Sequence, residues 1–102
     1  MTAKAIMRTK KLEGKAPVIT LDVALANESK IKVAYNNGLL TDKLLRFLLS
    51  PQQYFYLADK MLRKYEFDFI ARDFGVDVNA VKTGYKRAIL ILLGYLEALQ
   101  AE

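Results

Sequence analysis

From Thr41 onward, apolar residues recur at spacings of three and four, the signature of helices that each bury one face. Thr41-Asp42 supplies an N-cap ahead of Leu44, Leu45, Phe47, Leu48 and Leu49, which predicts a helix over about 41–49. Ser50-Pro51 then stops one helix and starts the next, because serine caps and proline suits the first helical position. That next helix, over about 51–65, sets Tyr54, Leu57, Ala58, Met61 and Leu62 on one face and Lys60, Arg63 and Lys64 elsewhere. Two more follow, over about 67–74 and 78–100.

The earlier segment has a different rhythm. Val18-Ile-Thr-Leu-Asp-Val-Ala-Leu is rich in β-branched residues and partly alternates, and Lys30-Ile-Lys-Val-Ala-Tyr alternates well. With Asn27-Glu28-Ser29 as a polar break, the pattern predicts a β-hairpin over about 18–35; a helix over Leu21 to Tyr35 is the alternative. The expected fold is therefore mainly α (α+β): a helix-turn-helix bundle of four to five helices with an N-terminal β-hairpin. Residues 17–102 form its single domain, behind a basic flexible arm at 1–16.

The stretch 67–86 carries the sharpest local signal. Ile70, Ala71 and Phe74 form an inner face, and Gly75 supplies the left-handed conformation that turns the chain abruptly. Val76 plugs the turn, Asp77 or Asn79 can cap the following helix, and Val81 and Tyr85 return to the core. Ala71 is small where the two helices would cross most closely. The pair reads as a helix-turn-helix.

Composition narrows the chemistry. The 102 residues include neither cysteine nor histidine, which removes disulfides, thiolate zinc sites and the commonest nucleophilic and acid-base machinery. No metal, no cofactor and no enzymatic activity are expected; Asp68, Asp73 and Asp77 read as solvated helix residues or caps. The opening residues lack the apolar core of a secretory signal, and the apolar stretch from Ala88 through Leu96 is short of a membrane span, so a cytoplasmic protein with no membrane partner is expected. The net charge is +5, divided as +4 over residues 1–15, +1 over 16–49 and zero over 50–102. The excess favours an anionic partner and sits in the arm, where Arg8, Lys10 and Lys11 are candidate phosphate contacts.

Between Leu49 and about Leu96 the chain resembles the promoter-reading C-terminal domain of bacterial sigma factors. The matching words are Leu49-Ser50-Pro51, Phe69-Ile70-Ala71-Arg72-Asp73-Phe74-Gly75-Val76 and Ala80-Val81-Lys82-Thr83 before Tyr85-Lys86-Arg87-Ala88. The resemblance implies a recognition helix from about Val78 lying in the major groove. Asn79, Lys82 and Thr83 would approach bases, and Lys86, Arg87 and Arg72 would hold phosphates. Gly84 inside that helix departs from the pattern, and the rest of a sigma factor is absent. A small sigma-like regulator of phage or plasmid type is the expectation.

The last helix is apolar nearly all round over Ala88-Ile-Leu-Ile-Leu-Leu-Gly-Tyr-Leu, so it must be covered on several sides. A homodimer through 88–99 would cover part of it and present two recognition helices to half-sites on double-stranded DNA. The alternative function is a protein-interaction module that binds RNA polymerase or another regulator without touching DNA, in keeping with the neutral balance of residues 50–102.

Overall fold

Thr20, Thr41 and Ser50 each stand in extended backbone before a helix, and each hydroxyl accepts the backbone N–H three residues on. These caps satisfy donors that a helix start leaves unpaired. At Ser50 the cap is reciprocal, since the Gln53 side chain accepts the Ser50 N–H at 2.9 Å, and Pro51 takes the first turn. The computed structural model describes residues 19–101. They form α1 (Leu21–Ala26), α2 (Glu28–Asn36), α3 (Asp42–Leu48), α4 (Pro51–Met61), α5 (Phe67–Phe74) and α6 (Val78–Ala101).

The first departure from the sequence reading is the N-terminal region, where described residues 19–35 hold helices and no hairpin. In a strand, Ile31, Val33 and Tyr35 would share one face. Here Ile31 and Ala34 are buried, while Val33 is 60% exposed. The helical spacing prevails because Ala24, Ile31 and Ala34 all reach the main core, and Asn27 divides α1 from α2 by donating its side-chain amide to the Val23 carbonyl at 2.8 Å. Residue 18 of the expected hairpin and the basic arm at 1–16, with Arg8, Lys10 and Lys11, lie outside the described residues.

A second departure is the end of α4, at Met61 rather than near Tyr65. Lys64 takes the left-handed conformation at φ 61°, and the Tyr65 N–H turns back to the Asp59 carbonyl at 3.0 Å. Asp59 is buried beside this turn and donor-matched by Arg63 at 3.0 Å. Burial holds its carboxyl above the ordinary carboxylate value, with Arg63 opposing the shift and Asp73 adding to it. A carboxyl raised in the folded state weakens the fold once pH climbs above the unfolded value and the native site must ionise. Asp59→Asn is thus expected to raise the urea midpoint at neutral pH relative to the parent, and to lose that advantage below the ordinary aspartate pKa of about 3.9, as read from unfolding curves at both pH values.

α6 is the axis of the molecule, spanning about 36 Å at 1.5 Å per residue. α1, α2, α4 and α5 pack along it. Ala88, Ile89, Ile91, Leu92, Tyr95, Leu96 and Ala98 are all buried within the one chain. The all-round apolar character that suggested a dimer through 88–99 is thereby accounted for largely inside the chain, leaving Leu90, Leu93 and Leu99 partly open. No helix among the described residues is long and apolar enough to cross a membrane. The core divides in two: a large cluster drawn from α1 to α4 and the distal part of α6, and a small one of Tyr56, Ile70, Ala71 and Val81 beneath the α5–α6 turn.

Candidate nucleic-acid interface

The α5–α6 turn is closed by backbone geometry. Gly75 has φ 69° and ψ 36°, its N–H donates to the Arg72 carbonyl at 3.2 Å, and the Val76 N–H donates to the Ala71 carbonyl at 2.9 Å. These paired bonds around a left-handed residue make a Schellman ending, and Val76 supplies the apolar contact that accompanies it by packing on the small cluster. A Cβ at Gly75 would meet nothing within 4 Å, so the cost of a side chain is backbone strain alone. Gly75→Ala is expected to destabilise by about 1–2 kcal/mol in urea unfolding, and Gly75→Asn by less, because asparagine tolerates the left-handed region better.

Asp77 then opens α6. Its carboxylate accepts the Asn79 N–H at 2.7 Å, so the cap is Asp77 and the Asn79 side chain is left for other work. Beyond it, Val81, Tyr85 and Ala88 form the buried face. With 3.6 residues per turn, Asn79, Thr83, Lys86 and Arg87 fall on the arc opposite that face, with Lys82 at its edge. Asn79 and Arg87 are exposed, and Lys82, Thr83 and Lys86 are half-exposed.

Within this set the structure makes a division that the sequence did not. Asn79, Thr83 and Arg87 line an open cleft of about 530 Å³ whose other wall is the start of α4, with Ser50, Gln52 and Gln53. Lys82 and Lys86 belong to the same arc outside that cleft. Arg72 is exposed on α5, also outside the cleft. The α4 start brings little free donor capacity of its own, since Ser50 and Gln53 are engaged with each other's backbone. The exposed Gln52 side chain is the group it offers. The sequence held a hint of this wall in Ser50-Pro51, which fixed where α4 begins, but nothing placed Gln52 opposite Arg87.

Tyr56 is the other residue missed. It is buried and lies at the floor of the cleft, with its ring edge-on to Phe74 at 5.3 Å. Its partner across the helices is Gly84, where a Cβ would fall 2.5 Å from Tyr56 Cδ2. Gly84, a loss of about 1 kcal/mol in helix propensity, is explained by that approach. The signal in the sequence was the mid-helix glycine itself; only the fold identifies the ring that demands it.

Among the described residues no group of histidine, cysteine, aspartate and glutamate side chains could hold a metal ion. No protein-family model, curated protein or solved structure matches the chain.

Proposed function

We propose that the protein is a sequence-specific double-stranded DNA-binding regulator of transcription, acting in the cytoplasm, with the first turns of α6 in the major groove. The observation that carries this reading is the polar arc of Asn79, Lys82, Thr83, Lys86 and Arg87, exposed or half-exposed on the helix that follows the left-handed turn at Gly75. A helix so presented fits the groove of B-DNA, where asparagine and lysine can read base edges. The cleft beside it, lined by Arg87 and Gln52, would receive a phosphodiester backbone in this proposal. Arg72, and the arm with Arg8, Lys10 and Lys11, supply further phosphate contacts in this proposal.

Should two copies sit on one operator, their contact would have to use apolar surface left open by the fold, such as Val33, Leu39 and Leu99, in place of the buried positions of 88–99. Selection of bound sequences from a random duplex pool, followed by a retardation assay at several salt concentrations, tests the reading. Enrichment of one sequence with binding that weakens steeply in salt is expected; no duplex binding at low salt would dismiss it.

The second reading is a module that binds RNA polymerase or another regulator. It is favoured by exposed aromatic side chains on the outer surfaces of α4 and α5, where Phe55 and Phe74 lie 6.2 Å apart and Phe69 packs on Tyr65 at 4.8 Å. Aromatic residues concentrate the energy of protein interfaces. Co-purification with polymerase, abolished by Phe69→Ala and indifferent to Lys82→Glu and Lys86→Glu, would establish it in place of the first.

A further inference from the structure

A residue can govern recognition without touching the ligand if it fixes where the reading helix stands. Gly84 sits in α6 between Thr83 and the turn that carries Arg87, so it belongs to the recognition segment. Its backbone is ordinary helix, and what it contributes is the missing Cβ: that atom would lie 2.5 Å from Tyr56 Cδ2 and 3.0 Å from Cε2.

Tyr56 has little freedom to yield. Its side chain is 4% exposed, braced by the Phe74 ring and packed with Ile70, Ala71 and Val81. The distal half of α6 is anchored separately, through Ala88, Ile89, Leu92 and Tyr95 in the large cluster. A displacement at Gly84 would therefore be taken up by the recognition segment, swinging Asn79, Thr83 and Arg87 relative to Gln52. We propose that the Gly84–Tyr56 contact is a positioning device, setting the distance between the recognition segment and the start of α4 and so determining which duplex sequence is preferred. This rests on the DNA-binding reading above. It makes Gly84 a determinant of specificity although it has no side chain to present to a base, with Tyr56 as the ring that sets its place.

The test compares the parent with Gly84→Ala, Tyr56→Val and the double variant, each checked for cooperative unfolding. Valine ends short of the ring carbons that the new methyl would meet, so the double variant restores the close approach. Two duplexes are used, the sequence the parent selects from a random pool and a scrambled one of equal length. Gly84→Ala is expected to lose about tenfold or more on the selected duplex and to change by less than about twofold on the scrambled one, as a misplaced base contact would. Tyr56→Val, which loosens the same contact from the other side, is expected to lose selectivity too, and the double variant to regain most of it. Equal losses on both duplexes, or no recovery in the double variant, would overturn the proposal.

Amide spectra of the free proteins give a readout that needs no DNA. Shifts in Gly84→Ala concentrated over residues 50–56 and 76–87 support the displacement, whereas an unchanged spectrum or one altered equally over 88–101 refutes it. Failure of the parent to select any duplex would overturn the DNA reading and the specificity role with it, and those spectra would still decide whether Gly84 positions the helix.

Discussion

Lys82→Glu, Lys86→Glu and Arg87→Glu together are expected to leave the fold intact and to remove duplex binding. Lys86 and Arg87 lie on the arc of α6 away from Val81 and Tyr85, Lys82 lies at its edge, and none of the three is paired with an acid among the described residues. Lys86 and Arg87 are the phosphate contacts among the three, and each releases about 0.9 of a condensed counterion, so losing both should flatten the dependence of log affinity on log salt by about 1.8. At low salt the affinity itself should fall about a thousandfold, about tenfold for each contact, with further loss from the reversed charge. The part of the fall owed to Lys86 and Arg87 should be shared by selected and scrambled duplexes, in contrast to Gly84→Ala. Titration of a labelled duplex at four salt concentrations, beside thermal unfolding of the free variant, separates the two effects. Parent-like affinity in the triple variant would move the interface away from α6.

The elements readable from the sequence were those with punctuation. Thr41, Ser50-Pro51 and Gly75 are residue types whose backbone or side-chain chemistry names a boundary, and the structure uses each as a boundary. Where the boundary residue has no such chemistry the reading failed: α4 stops unannounced at Met61, and three residues on Lys64 adopts a conformation that lysine seldom takes. The hairpin error has another cause. Lys30 to Tyr35 alternates as a strand does, yet the same residues bury Ile31 and Ala34 at helical spacing, and the choice belongs to whatever α6 needs as cover.

The candidate site divides along the same line. Spacing along one helix placed Asn79, Lys82, Thr83 and Lys86 on a common arc, because a helix is a local object. The opposite wall of the cleft comes from a helix more than twenty residues earlier, so Gln52 and Tyr56 could be found only once α4 and α6 were packed together. The aromatic surface on α4 and α5 was also out of reach, since Phe55 and Phe74 meet across two helices.

The largest loss of stability is expected at Tyr85, where the first turns of α6 join its distal part. Tyr85 is fully buried and in the large cluster, its ring meets Phe67 edge-on at 5.3 Å, and its hydroxyl donates to the Glu28 carboxylate of α2 at 2.5 Å. Burial first, and then the Glu28 carboxylate, hold the phenol above its ordinary pKa, so it remains a donor throughout the neutral range. Tyr85→Ala removes the ring that links α5 and α2 to α6 and leaves a cavity, at a cost of about 3–5 kcal/mol in urea unfolding. Tyr85→Phe keeps the ring and deprives a half-buried carboxylate of its donor, at about 1–3 kcal/mol. Adding Glu28→Gln to Tyr85→Phe should return part of that loss, because the unpaired charge has gone. If Tyr85→Phe proved neutral and Tyr85→Ala cost less than about 1 kcal/mol, α2 would not be fastened to α6 through this residue. The cluster would then need a different keystone.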